Sequence, residues 1–172
     1  WLQRNAAVAR RILSLLGSQA SDEEVLVGGP AAWGLRGRWH RWNEDLILDC
    51  AHNVEGLTAT GKALAATKRP LRIVFATVAD KDVPEALRCL PEAKQHYWSA
   101  ADIPRAMGAA ELQRKAASAG RMGSVHSTVG AALRQAVKDR REDELVAVIG
   151  SVFTVGEALS ALESGEGVPQ GH

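Results

Sequence analysis

Apolar positions along the chain follow two periodicities, and their alternation predicts an α/β fold. Segments that we interpret as strands lie at 38–41, 46–49, 71–76, 96–99, 124–126 and 145–149, and those at 71–76 and 145–149 are strongly apolar. Between them, apolar residues recur every three to four positions, which predicts helices at 55–67, 82–90, 102–118, 128–140 and from 151 to 162. Strands that alternate with helices in this way form βαβ units. We therefore expect a mostly parallel, Rossmann-like sheet of about six strands with helices on both faces.

The two ends of the chain differ from this central region. Residues 3–16 have the apolar spacing of an amphipathic helix, a second helical pattern starts at Ser21, and Gly28 to Pro30 interrupt regular structure. The last residues are rich in glycine and are expected to be disordered. The predicted organisation is an N-terminal helical arm with a linker at 1–35, a domain at 36–163 and a tail at 164–172.

Composition and charge narrow the class of protein. The chain has 172 residues and a net charge of +1, so charge gives no reason to expect nucleic acid or a membrane surface as a partner. Uninterrupted apolar runs stay well below the ~18 residues of a transmembrane helix. The two cysteines, Cys50 and Cys89, are too few for a disulfide framework, which indicates a reduced, cytoplasmic protein.

Polar side chains follow three of the predicted strands, directly after each strand ends. They are Asp49, His52, Asn53, Lys81 and Ser151. Because ligands of open α/β sheets bind at the carboxyl ends of the strands, we expect these residues at one edge of the sheet. The sequence therefore predicts a polar ligand site at that edge.

Most of these residues also have a structural interpretation. Asn53 and Ser151 each precede a predicted helix and suit its N-cap, and Lys81 suits a solvated turn beside Asp82. Asp49 is different, because an ionised carboxylate at the end of a buried strand needs a partner. A ribose diol, a cation or a basic side chain would provide one, so a functional interpretation is preferred for Asp49.

A near match to a phosphate-binding P-loop is interpreted as chance. Residues 56–63 fit G-x-x-x-x-G-K, but the hydroxyl residue that should hold Mg²⁺ is Ala63. Gly56 also comes well after the predicted strand and lies in a helical pattern, so Lys62 is expected to be a solvated helix residue. No G-x-G-x-x-G follows a strand, which leaves a dinucleotide oxidoreductase unsupported.

Five short segments, taken in chain order, resemble folylpolyglutamate synthase/dihydrofolate synthase, a family of the Mur ligase superfamily. The segments are Gly37-Arg38, the D-x-A-H-N sequence at 49–53, D-K-D at 80–82, P-R-A at 104–106 and the G-S-x-x-x-V-G-E sequence at 150–157. The resemblance covers the carboxy-terminal domain of that family, and it implies the Mur ligase C-terminal domain type of fold. It assigns no role to Arg105.

The resemblance implies an ATP-dependent amide ligase. ATP, with Mg²⁺, would phosphorylate a dihydropteroate or folate carboxylate, and L-glutamate would attack the acyl phosphate. Residues 1–35 would end a central ATPase domain of the same chain, which supplies the P-loop and the Mg²⁺ ligands; the chain alone would be inactive. A monomer is expected. Asn5 fits the last position of that domain's Y-Q-x-x-N motif, although Trp1 and Leu2 occupy the first two.

The resemblance also implies residue roles. Nucleotide contacts would come from Arg38, Asp49 and Asn5. Glutamate contacts would come from His52, Asn53, Lys81 and Ser151, and no residue is assigned a certain catalytic role. His52 and Lys81 are candidates for positioning glutamate and the acyl phosphate. Two alternatives stay open: a non-catalytic α/β ligand-binding or interaction module, and another Mur-type amide ligase with a different acceptor.

Overall fold

The structure is a computed structural model that describes residues 36–165 together with positions 8, 11, 12, 14, 15 and 17. The strands of the described domain are β1 (His40–Asn43), β2 (Leu46–Asp49), β3 (Leu71–Phe75), β4 (Gln95–Trp98), β5 (Gly123–Val125) and β6 (Leu145–Ile149). The helices are α1 (Val54–Ala66), α2 (Val83–Arg88), α3 (Ala109–Ser118), α4 (Val129–Asp139) and α5 (Val152–Glu163).

The strands form one six-stranded sheet in the order β1-β2-β6-β3-β4-β5. All neighbouring pairs are parallel except the β1–β2 hairpin. The register aligns the last residues of the central strands, because Asp49 and Phe75 both lie opposite Ile149, and Phe75 also lies opposite Trp98. The segments that follow these strands therefore emerge at one edge of the sheet, as the sequence predicts.

Apolar side chains cover both faces of the sheet. One core cluster packs Ile47, Ile73 and Phe75 against α1, α2 and α3. The other packs Leu48 and Val148 against α4 and α5. Every residue of β6 is buried, which suits a central strand covered on both sides. The expectation of an α/β fold with helices on both faces is confirmed.

The predicted starts of two elements are wrong by two residues or more. The helix expected from 102 begins at Ala109, because the preceding loop uses its backbone elsewhere: Met107 N–H donates to Thr77 O at 2.9 Å, and Ala106 pairs with Val78. The first strand begins at His40 instead of 38, because residues 37 and 39 have left-handed backbones with φ of 81° and 47°, which prevent an extended strand.

The amino-terminal edge of the sheet is closed by polar contacts. Arg72 pairs with Glu144 at 2.5 Å and donates to the Tyr97 hydroxyl at 2.7 Å, which in turn donates to Asp139 at 2.9 Å. Burial raises the pKa of Tyr97 to about 12. Burial also opposes ionisation of Glu144, but hydrogen bonds from Arg72 and the Arg141 N–H outweigh it and lower the pKa. These side chains are therefore paired with one another within the domain.

The terminal predictions fall largely outside the described residues. Positions 8, 11, 12, 14 and 15 have helical backbone, and Gly17 has a left-handed φ of 78°, as expected where a helix ends. Asn5, the pattern from Ser21 and most of the tail lie outside the described residues. No helix in the described part of the chain is long and apolar enough to cross a membrane.

Candidate functional site

A cavity of about 530 Å³ opens at the carboxyl end of β2. Arg38 and Trp39 form one wall, residues 49–53 form its base, and the side of α1 that carries Gly56 and Thr60 forms the opposite wall. Positions three to four residues apart share one face of a helix, so small residues at 56, 59, 60 and 63 leave room for a ligand along α1.

Asp49 is the most constrained side chain of this cavity. It is 8% exposed, and its carboxylate accepts the Trp39 N–H at Oδ2 and the Ala51 N–H at Oδ1, both at 2.8 Å. The partner that sequence reasoning required for this carboxylate is therefore the backbone of the chain itself. Since each oxygen has two lone pairs, both can still accept a hydrogen bond from the cavity.

The turn that carries Arg38 is held by its glycine. Gly37 has a φ of 81°, and its carbonyl accepts the Cys50 N–H at 2.8 Å. A Cβ at this position would lie 2.8 Å from Val155 and 2.9 Å from the Cys50 sulfur. The turn thus sets Arg38 at the cavity wall. Burial raises the pKa of the Cys50 thiol and keeps it in its neutral form.

His52 and Asn53 lie between the strand and α1. The imidazole Nδ1 of His52 is 2.9 Å from the Cys50 carbonyl oxygen, so Nδ1 carries a proton and donates it to this bond. The Asn53 Oδ1 accepts the Gly56 N–H at 2.8 Å and caps α1. The structural interpretation of Asn53 is confirmed, and its amide NH₂ group is left as a donor beside the cavity.

Lys81 and Ser151 lie farther along the same edge. Lys81 is half-buried in the turn after β3, and it makes no ion pair within residues 36–165. The neighbouring Asp82 caps α2 by accepting the Glu85 N–H at 3.0 Å. Ser151 caps α5 through the Thr154 N–H at 3.1 Å. The N-cap interpretation of Ser151 is confirmed, and its hydroxyl also lies 2.8 Å from the Thr154 hydroxyl.

The strand order arranges these residues along the edge. Ser151 follows β6, which lies between β2 and β3, so Ser151 stands between the cavity residues on one side and Lys81 on the other. Three of the predicted residues, Asp49, His52 and Asn53, line the cavity together with Arg38. Lys62 is exposed on α1, as expected of a solvated helix residue.

Trp39 is a further cavity residue. Its indole packs against the core cluster below α1, yet it also lines the cavity next to Arg38. The left-handed φ of 47° is unusual for an aromatic residue, and the bond from Trp39 N–H to Asp49 holds it. Nothing in the local sequence signals this conformation, because the partner lies ten positions away.

No group of three or more His, Cys, Asp and Glu side chains that could hold a metal ion occurs among the residues that the structure describes. Two carboxylates at this edge also have other partners, since Asp49 binds backbone amides and Asp82 caps a helix. The donor set of the described domain thus does not fit a resident divalent cation.

Comparison with known proteins identifies relatives. Residues 37–152 match the family described as Mur ligase, glutamate ligase domain. The dihydrofolate synthase/folylpolyglutamate synthase of Escherichia coli is 29% identical over 168 residues, which is 94% of this chain and 38% of that protein. The chain thus spans well under half the length of this relative.

Solved structures show the same fold. The bifunctional folylpolyglutamate synthase/dihydrofolate synthase of Yersinia pestis, complexed with AMPPNP and Mn, superposes with a TM-score of 0.76 at 32% identity over 92% of this chain and 38% of its own. A structure of a bifunctional synthase with Mn, AMPPNP and L-glutamate bound gives a TM-score of 0.77 at 32% identity, over 92% of this chain and 39% of its own.

Proposed function

The chain belongs to the Mur ligase family through its glutamate ligase domain, and from this premise we propose that it works as the carboxy-terminal part of a longer ligase. That ligase adds L-glutamate to dihydropteroate or folate at the expense of ATP. One observation carries the proposal. A nucleotide-sized cavity lined by Arg38 and Asp49 lies at the same sheet edge as Lys81 and Ser151. Relatives with AMPPNP and L-glutamate bound support it.

The cavity at β2 is the proposed ATP contact of this domain. The remaining lone pairs of Asp49 suit the two hydroxyl donors of a ribose, and the two backbone N–H bonds keep the carboxylate oriented. The guanidinium of Arg38 suits a phosphate oxygen. Asn5 is the third proposed nucleotide contact, from the arm that would end the central ATPase domain.

The remaining edge residues are the proposed contacts of the incoming glutamate. The ammonium group of Lys81 suits a carboxylate or the acyl phosphate, and the amide NH₂ of Asn53 is a donor at the same edge. Ser151 adds its hydroxyl, and His52 adds an imidazole that is oriented by the Cys50 carbonyl. Lys81 and His52 are the residues that we assign to positioning glutamate against the acyl phosphate.

The proposed reaction proceeds in two balanced steps. A carboxylate oxygen of the pterin substrate attacks the γ-phosphorus of ATP, the bond from that phosphorus to the bridging oxygen breaks, and ADP leaves. The neutral amine of glutamate then attacks the acyl carbon, the carbon–oxygen bond to phosphate breaks, and the amine proton goes to solvent. The residues of this domain orient both reactants and stabilise negative charge.

The Mg²⁺ of this reaction neutralises charge on the transferring phosphoryl group, and we assign its ligands to the central ATPase domain. The described domain lacks a suitable ligand set of its own. We therefore expect the central domain of the same chain to be the partner that completes the cleft, in a monomeric cytoplasmic enzyme.

Isotope transfer tests the proposed function. The longer ligase is incubated with ATP, L-glutamate and dihydropteroate or tetrahydrofolate whose carboxylate carries ¹⁸O. We expect ADP, one glutamylated product and inorganic phosphate that contains one ¹⁸O, because the carboxylate oxygen leaves with the phosphoryl group. Release of AMP, or ¹⁸O-free phosphate, would contradict the acyl phosphate route. Glutamate-dependent turnover with a different acid only would indicate another Mur-type ligase.

A further inference from the structure

Arg105 has a side chain that the proposed function does not use. It lies exposed in the loop between β4 and α3, and its guanidinium carbon is 5.7 Å from the ring centre of Phe153. Phe153 is the second residue of α5, is 40% exposed and lies two positions after Ser151. A cation held over an exposed aromatic ring thus stands at the carboxyl edge of the sheet.

The backbone that carries Arg105 is tied to two other edge segments. The Arg105 carbonyl accepts the Ala79 N–H at 3.0 Å, two residues before Lys81. At the start of the same loop, Asp102 N–H donates to the Glu157 carboxylate of α5 at 2.6 Å. The loop after β4 is therefore bound both to the turn that carries Lys81 and to the helix that begins after Ser151. Arg105 is placed by backbone contacts, although its side chain is exposed.

The chemistry of the contact leaves the guanidinium ready for an anion. Packing on a ring uses the flat face of the group, so its five N–H donors still point outward in the plane. Within the described domain the Arg105 side chain makes no hydrogen bond or ion pair; its side-chain contact there is the ring of Phe153. The fork of donors matches a carboxylate in a bidentate arrangement.

We propose that the Arg105 guanidinium forms a subsite for one carboxylate of the incoming glutamate. Phe153 is the positioning residue that holds this guanidinium. This inference rests on the proposed function, and it adds a second cationic group to Lys81 for a substrate with two carboxylates. The location of Arg105 makes a nucleotide phosphate the less suitable occupant of this subsite. The cavity with Arg38 and Asp49 lies between the end of β2 and α1, whereas the Arg105 guanidinium packs on Phe153 of α5, and α1 and α5 cover opposite faces of the sheet.

Steady-state kinetics of the longer ligase is the first test. Because Arg105→Ala removes a bidentate charged contact, we expect it to raise KM for glutamate about tenfold or more. KM for ATP should stay within about twofold. Arg105→Lys is intermediate. Phe153→Leu raises KM for glutamate by a smaller factor, and Phe153→Tyr keeps the wild-type value because it keeps the ring. The matched control is Arg114→Ala, an exposed arginine on α3, which changes neither KM.

A change in KM for ATP in place of glutamate, or no change in either, would overturn the subsite. Equal thermal stability of Phe153→Leu and Phe153→Tyr shows that a shift in KM is not a folding defect. An increase in KM for glutamate in Phe153→Leu but not in Phe153→Tyr is the result that a purely structural role for the loop would not produce.

A binding measurement on the 172-residue chain separates this inference from the proposed reaction. The Nε–Hε NMR signal of Arg105 is followed during titration with L-glutamate, and sodium chloride is added at matched ionic strength as the control. We expect a shift with glutamate that chloride does not produce and that Phe153→Leu weakens. If the ligase proves inactive but this signal responds to glutamate, the reaction is wrong and the subsite stands. The subsite is refuted if the ligase is active and Arg105→Ala leaves KM for glutamate unchanged. It is also refuted if the Arg105 signal responds equally to chloride.

Discussion

We expect the domain to lose much of its stability when the carboxylate of Asp49 is removed. Its two oxygens accept the N–H groups of Trp39 and Ala51, each at 2.8 Å, and the side chain is 8% exposed. Asp49→Ala leaves both N–H groups without these partners. It also frees the left-handed backbone of Trp39, whose φ of 47° the carboxylate helps to hold.

The magnitude follows from the two bonds. Hydrogen bonds to charged groups contribute about 1.5–3 kcal/mol each, so the loss is about 3–6 kcal/mol. That is a large share of the ~5–15 kcal/mol by which a domain is stable. Asp49→Asn keeps one acceptor oxygen and turns its NH₂ group toward the other N–H, so about half of the loss is expected.

Urea unfolding of the 172-residue chain measures this effect. With slopes of ~1–3 kcal/mol per molar urea, Asp49→Ala lowers the midpoint by about 2 M. The matched control is Asp80→Ala, which removes an exposed aspartate near the same sheet edge and is expected to stay within about 0.5 kcal/mol of wild type. A loss of less than about 1 kcal/mol in Asp49→Ala would refute the reasoning, because the two bonds could then not be holding the turn.

Three further outcomes concern folding and activity. His96 is 3% exposed and burial lowers its pKa to about 4, so the unfolded state, with a pKa near 6.5, binds the extra proton first as the pH falls. Stability is therefore lost from about pH 6.5 down to pH 4, by about 3 kcal/mol, and His96→Phe should flatten this slope in unfolding curves. Gly150→Ala should abolish folding in thermal melts, since a Cβ there would lie 1.8 Å from the Ala76 carbonyl oxygen, whereas Gly156→Ala, with nothing within 4 Å, should gain up to about 1 kcal/mol. The isolated 172-residue chain should fold but not ligate, and detectable ATP- and glutamate-dependent ligation by it alone would contradict the division of labour between domains.

The fold was predictable where a pattern is local. The strand Leu145–Ile149 is an uninterrupted apolar run, and it is the central strand that this pattern predicts. The caps at Asn53 and Ser151 follow from a polar residue directly before an apolar helical repeat. Parallel strands then bring the residues after β2, β3 and β6 to one edge, so the position of the site follows from the topology.

The errors arise where distant backbone groups decide the structure. Local spacing favours a helix from 102, but the loop at 102–107 donates its N–H groups to Glu157 and Thr77. The Asp49 carboxylate needs a partner at the end of a buried strand, and one of its partners is the Trp39 N–H, from a turn ten residues earlier. Sequence spacing contains no signal for either contact, because both depend on chain segments that meet only in the folded domain.

One measurement tests the division of the sheet edge into a nucleotide side and a glutamate side most directly. Steady-state kinetics of the longer ligase, with ATP and L-glutamate varied separately, compares variants of Asp49 and Lys81 at a temperature where each is folded. We expect Asp49→Ala to impair the use of ATP more than Lys81→Ala does, and Lys81→Ala to act mainly on KM for glutamate. Equal effects of the two substitutions on ATP would contradict the division.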